Sequence, residues 1–262
     1  MRLFCLFTLL LFFTFPAVGQ GVILDDEAYE QTPLVEKDPD RGRIPAAVDL
    51  RPYCPRPGDQ GGLPSCAAWS LANAMTIQQA FAKEQTDPGE IEKMRFSVAY
   101  IYNQAGDCYR GATFPACLKL LEQKGDCPAA LLPYSQDCAP IPENRHHARA
   151  RANRIKGYRK VFSLSAGMDE KIDNILDEVG DYRPVVIVCK VPNNFRNNIP
   201  EVRGAWPAEE LHAMVVAGYN EYTQTFTLMN SYGPNWGARG FFEIDWETLG
   251  KVARYGYVLV TE

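Results

Sequence analysis

Past Cys66, apolar residues fall at Ala68, Leu71, Ala72 and Met75, steps of three and four that predict a helix opening at the cysteine. Asp87-Pro88-Gly89 reads as the later stop. Helical patterning recurs at Cys117 to Lys124, around Arg145 to Arg154, and at Ile172, Ile175, Leu176 and Val179, which make one apolar face. From Val161 onward the period changes. Pro184 to Val191, Ala213 to Tyr219, Thr225 to Met229, Gly240 to Ile244 and Tyr257 to Val260 are apolar or alternating runs rich in β-branched and aromatic residues, which predict strands. The chain therefore divides into a largely helical half, about 44–160, and a β-rich half, about 161–262. It contains no internal repeat and no low-complexity tract.

The N-terminus departs from this pattern. Arg2, an apolar run from Leu3 to Phe15, and Pro16-Ala17-Val18-Gly19 have the layout of a secretory signal over residues 1–19. The run is too short to span a bilayer comfortably, and no later apolar stretch approaches ~20 residues, so no membrane anchor is expected. Residues 20–43 carry Asp25, Asp26, Glu27, Glu30, Glu36, Asp38 and Asp40 against Lys37, Arg41 and Arg43. Few apolar residues and many acids predict a short prosegment or linker, largely disordered or extended.

At 262 residues and 46% hydrophobic the chain is long enough to bury a full core. A net charge of −5 leaves no basic footprint, so nucleic acid is not an expected partner. Eight cysteines, seven of them after the signal segment, imply an oxidising, secreted or periplasmic location. Setting aside Cys5 and Cys66 leaves Cys54, Cys108, Cys117, Cys127, Cys138 and Cys189, whose full pairings number fifteen. No Cys-x-x-Cys pair occurs, which argues against a zinc clip, and neither a metal nor a cofactor is called for.

Three segments carry the chemistry. Gln60 to Ser70 sets an amide donor six residues before a cysteine at a helix start. Leu211 to Tyr219 supplies His212, and Asn230 to Gly237 supplies an amide. Each residue has an ordinary reading when taken alone: Cys66 as a small core hydrophobe, His212 as a satisfied core histidine, Asn230 as a turn residue. Together they suit nucleophilic catalysis. A thiol must be held as thiolate to attack, which a helix N-terminus and an adjacent imidazolium both favour. His146-His147 runs instead into strong helix formers, Ala148 to Ala152, and reads as part of a helix.

The order Gln60, Cys66, His212, Asn230, with Cys66 and His212 146 residues apart, resembles the papain-like cysteine peptidases. Ile44-Pro45-Ala46-Ala47-Val48-Asp49-Leu50-Arg51 resembles the start of mature domains of that family, and Pro133-Tyr134 before Cys138 resembles another family segment. The resemblance implies an α+β fold, a helical subdomain packed against an antiparallel β-barrel-like subdomain with the active-site cleft between them. It implies a secreted thiol endopeptidase that cleaves peptide substrates through an acyl-enzyme, needs no cofactor, and is a monomer. Cys66 would be nucleophile, His212 its proton partner, Asn230 the orienting amide and Gln60 the oxyanion donor. Pro64, Ser65, Leu211, Ala213 and Trp236 would line the substrate site, with Cys108–Cys138 as a bridge and Ile44 as the first residue of the mature domain. Departures from the family pattern at Leu63, Pro64, Ala67 and Tyr232 bear on substrate preference. The same triad would also serve an acyl transferase, an amidase or a specialised processing peptidase, and a catalytically silent binding module is the alternative from another class.

Overall fold

The computed structural model describes residues 21–37, 42–138, 140–197, 199, 203, 206 and 208–261. Residues 1–19, expected to be a secretory signal, lie outside the described residues. The chain begins with β1 (Val22–Ile23), α1 (Asp26–Gln31) and β2 (Ala47–Asp49). The helical half follows with α2 (Cys66–Ala82), α3 (Pro88–Met94), α4 (Val98–Ala105), the hairpin β3 (Gly106–Asp107) and β4 (Gly111–Thr113), then α5 (Phe114–Lys124) and α6 (Asn144–Ala150). The sheet half comprises β5 (Gly157–Lys160), α7 (Met168–Gly180), β6 (Val185–Pro192), β7 (Ala208–Asn220), β8 (Thr225–Met229), β9 (Phe241–Asp245), α8 (Trp246–Val252) and β10 (Ala253–Val260).

The predicted strands from Pro184 onward all form, β7 and β10 being longer than their apolar runs. Asp87-Pro88-Gly89 does not stop α2. Asp87 caps the next helix, its carboxylate accepting from Glu90 N with Pro88 in the first turn, where its missing N–H costs nothing. α2 itself ends five residues earlier, at Ala82, and is buried nearly all round over its first three turns.

The large sheet is antiparallel, in the order β5-β10-β6-β7-β8-β9, with β2 added to β7. Among the described strands it does not close on itself. β6 and β7 are in register from Val185↔Val216 to Val191↔Glu210, which sets Cys189 directly opposite His212. Val185 to Cys189 and Ala213 to Ala217 are buried, and the α2 residues Cys66 to Met75 are buried with them in one continuous core. This packing seats the start of α2 against the middle of β7.

Residues 21–36 correct the expectation of disorder. β1 pairs in parallel with β4 (Val22↔Ala112, Ile23↔Thr113), and Leu34 bridges to Lys160 on β5. α1 has six residues and would not persist alone. Tertiary anchors hold it. Tyr29 is fully buried, its ring stacked on Tyr255 at 4.2 Å and edge-on to Tyr257. Its hydroxyl donates to Phe162 O at 2.6 Å and accepts from Gly256 N at 3.1 Å. Glu30 accepts from Lys160 Nζ at 2.7 Å, and Asp26 accepts from Tyr255 Oη at 2.6 Å and pairs with Arg254. Composition missed this because the segment docks through one aromatic side chain and a few placed acids, and needs no continuous apolar run to do so.

Candidate active site

The loop before α2 is built from backbone turns and one half-buried phenol. Tyr134 Oη donates to Gln60 O at 2.8 Å and lies 2.7 Å from Ser65 Oγ. Ser65 is the residue before α2, yet its hydroxyl faces Tyr134 and makes no cap. The first-turn N–H groups of α2 thus stay clear of a capping side chain, and they point where the Cys66 sulfur lies. Burial pushes the Cys66 thiol up to about 12, opposed by N–H groups of Ala213, Ala67 and Cys66 itself. The Ala213 N–H in that set belongs to the residue after His212, so the thiol of the helical half meets β7 of the sheet half.

His212 is fully buried and held from three sides. Its Nε2 lies 2.7 Å from Asn230 Oδ1, its ring stacks on Tyr232 at 4.7 Å, and Phe195 meets it edge-on at 6.0 Å. Asn230 Oδ1 is an acceptor only, and it also receives Ser231 N at 2.7 Å. Nε2 must therefore carry the proton. Nδ1 is left as the basic nitrogen, 3.5 Å from Tyr232 Oη. Burial lowers the imidazole to about 4, with the Asn230 bond opposing that shift and the Arg196 cation adding to it. Asn230 follows β8 and is fixed by its own N–H to Gly240 O at 2.9 Å. Gly240 has φ +88° and packs a would-be Cβ onto Pro57, so only glycine fits there.

Gln60 is buried beside them. Its N–H donates to Ser231 O at 2.8 Å, its Oε1 accepts from Ser231 Oγ at 2.7 Å, and its Nε2 donates to Leu63 O at 3.0 Å. The second Nε2 proton has no protein acceptor in that set. Gln60, Cys66, His212 and Asn230 are therefore brought together, with Ser231 bonded to both the Gln60 and the Asn230 amides.

The other candidates are placed less uniformly. Pro64 is buried under the N-terminal segment: a Cβ on Gly21 would lie 2.2 Å from Pro64 C and O. Ala213 is buried on β7 and Leu211 is half-buried. Trp236 is 7% exposed and sits edge-on to Phe195, Tyr232 and Phe242, as part of an aromatic wall behind His212. Sequence reasoning missed Tyr134 as the loop's clamp, Ser231 as the Gln60 partner, and Arg196. No local pattern marks them, because each acts across more than thirty residues of chain.

Cys108 and Cys138 form a disulfide, as the resemblance implied, and it fastens the turn between β3 and β4. Cys54, Cys117, Cys127 and Cys189 are free thiols in this fold. No helix of the described residues is long and apolar enough to cross a membrane.

Comparison with known proteins places this arrangement. A family model described as papain family cysteine protease matches residues 44–255. A cathepsin L-like proteinase of Fasciola hepatica is 23% identical over 216 residues, covering 77% of this chain and 60% of that protein. A peptidase C1-like protein of Acanthamoeba polyphaga mimivirus is 26% identical over 210 residues, covering 72% and 64%. The chain thus spans less than two thirds of the length of these relatives. Among solved structures, xylellain, a cysteine protease from Xylella fastidiosa, superposes with a TM-score of 0.77 at 23% identity, covering 94% of this chain and 97% of that one. Digestive procathepsin L 3 of Tenebrio molitor larval midgut gives 0.71 at 17% identity, covering 93% and 76%.

Proposed function

The chain belongs to the papain family of cysteine proteases, and from that premise we propose that it is a secreted endopeptidase whose nucleophile is Cys66. The observation that carries the reading is the tautomer of His212. With Nε2–H committed to Asn230, Nδ1 is the nitrogen left to act as base, and Ala213, the next residue along β7, already brings its N–H to the Cys66 thiol. Cys66 Sγ would transfer its proton to Nδ1 and attack the substrate carbonyl. The Cys66 N–H and the Gln60 amide would receive the oxyanion, and imidazolium Nδ1–H would then protonate the leaving amine. Water, activated by the same nitrogen, would release the acyl group and regenerate the thiol.

Residues 21–36 add a latent state to this reading. Gly21 rests on Pro64, next to the nucleophile loop, and Ala112 N donates to Gly21 O at 3.0 Å as β1 runs along β4. In this reading the segment would compete with an extended peptide for the edge of β4 and the wall at Pro64. Burial of Cys66 and His212 favours the neutral thiol and neutral imidazole in this closed form. Opening the cleft admits water, which relieves that desolvation and favours the thiolate–imidazolium pair. The signal-like residues 1–19 and the Cys108–Cys138 bridge support export to an oxidising compartment.

The test is labelling by an epoxysuccinyl probe before and after removal of the N-terminal segment, with mass mapping of the adduct. Labelling of Cys66, increased by the removal and accompanied by peptide cleavage that Cys66→Ala abolishes, is the expected result. An adduct on Cys54 or Cys189, or undiminished cleavage by Cys66→Ala, would overturn the assignment.

A further inference from the structure

Arg196 stands on the loop after β6, in the sheet half, and reaches back to the loop that precedes α2. Its Nη2 meets the two carboxylate oxygens of Asp59 at 2.6 and 2.8 Å, and its Nη1 donates to Gly61 O at 3.3 Å. The guanidinium carbon lies 4.9 Å from the centre of the Tyr232 ring. That same ring stacks on His212 at 4.7 Å with 23° between the planes. A fixed cation, a phenol and the imidazole are therefore in successive contact, with a carboxylate closing the far end.

From this geometry we infer that Arg196 and Asp59 are positioning residues of opposite effect, which set the proton affinity of His212 through the Tyr232 ring. Arg196 disfavours the imidazolium, and Asp59 partly cancels Arg196. The inference rests on the proposed reading of Cys66 and His212 as the working pair. Other groups face the imidazole too: Cys66 from α2, Cys189 opposite on β6, Asn230 and Tyr232 from the loop after β8, and Glu210 on its own strand. Cys66, Cys189 and Tyr232 are neutral in this closed form, since burial raises all three. Arg196 and Asp59 are then, with Glu210, the charges near the site, and neither Arg196 nor Asp59 is itself in contact with the imidazole. The pair is also half-exposed, at 36% and 47% of side-chain area, so its contribution to folding is small and its loss leaves the fold in place.

A clamp and an electrostatic device predict different outcomes. If the pair only ties two loops together, breaking it from either side has the same effect. If charge is what matters, the two substitutions act in opposite directions. A unit charge roughly 10 Å away, at an effective dielectric between that of a protein boundary and that of water, shifts a titration by about 0.3 to 1 pH unit.

The experiment is an NMR titration of the histidine ring protons in the full chain, which has three histidines. The His212 signal is identified by its loss in His212→Gln. Arg196→Gln is expected to raise the His212 pKa by that amount, Asp59→Asn to lower it, and Arg196→Lys to leave it near its original value. The shifts should shrink as salt is added. The pH dependence of Cys66 alkylation by iodoacetamide should move in the same two directions. Shifts of one sign in both variants, or none in either, overturn the inference. Failure of the catalytic reading is seen separately, as peptide cleavage that survives Cys66→Ala while the histidine titrations still give their own answer.

Discussion

Replacing Tyr29 by Ala should convert the closed form into an open one, and the structure gives the size of the effect. Tyr29 has no exposed surface, stacks on Tyr255, meets Tyr257 edge-on, and makes two backbone hydrogen bonds through its hydroxyl. Removing a buried aromatic of this kind costs ~3–5 kcal/mol. Most of that cost falls on docking of residues 21–36, because the remaining anchors of α1 are polar pairs, Asp26–Arg254 with both partners partly exposed and Glu30–Lys160 with its carboxylate side open to solvent. At ~1.4 kcal/mol per tenfold, the docking equilibrium moves by roughly a hundredfold or more. Where opening and closing are fast, attack on a covered group follows the open population. The rate of Cys66 alkylation by iodoacetamide in the full chain should therefore rise by about a hundredfold, until the segment is mostly undocked. Tyr29→Phe keeps the ring and loses only the hydroxyl, leaving Gly256 N without its acceptor, which costs ~1–3 kcal/mol. It should give an intermediate rate. An alkylation rate within about twofold of the parent in Tyr29→Ala, with a lowered melting temperature, would show that Tyr29 stabilises the fold without gating the site.

Asn230→Ala should slow peptide turnover less than Cys66→Ser does, because the imidazole loses its orienting acceptor while both reacting atoms remain; steady-state kinetics on one fluorogenic peptide compares the two, and unchanged turnover would remove Asn230 from the triad. Asp126 is fully buried with neither carboxylate oxygen hydrogen-bonded, and burial raises its pKa well above the usual range, only partly opposed by the nearby N–H groups of Cys127 and Ser97. Its folded pKa exceeds its unfolded value, so the stability it supports is complete below about pH 4 and is lost as pH rises toward the folded value, by up to ~1.4 kcal/mol per unit. Asp126→Asn should therefore melt at a higher temperature than the parent at about pH 8 and at nearly the same temperature at about pH 4; a pH-independent difference would contradict this. Cys108 and Cys138 close a loop of sequence separation 30, so Cys108→Ser with Cys138→Ser should lower stability by ~3–4 kcal/mol in urea unfolding, and a loss under about 1 kcal/mol would mean that the hairpin carrying β4 is held by packing alone.

Periodicity located the strands from Pro184 onward because buried strands must be apolar for several consecutive residues, whereas α8, seven residues between β9 and β10, was too short to show a period and went unpredicted. It located α2 at Cys66 for a similar reason, since the first three turns are buried on nearly every side. Asp87-Pro88-Gly89 misled because a capping residue and a first-turn proline are the same signal whether a helix has just ended or is about to begin. α1 and the short strands β1, β3 and β4 were beyond reach: none has the length to show a period.

The chemistry this protein carries is legible in chain order alone. A cysteine at a helix start, followed by a histidine and an asparagine and preceded by a glutamine, is information held in short segments, and reactivity at a helix N-terminus is a property of the backbone. How those groups are held emerges only on folding. Which nitrogen of His212 carries the proton follows from Asn230 Oδ1 on a different strand end, and the orientation of Gln60 follows from Ser231, 171 residues away. The docking of residues 21–36 likewise depends on Tyr29 finding Tyr255, Phe162 and Gly256, groups more than a hundred residues distant. Contacts of that range leave no periodic trace, because hydrogen bonds and buried rings select partners by position in space and not by spacing along the chain.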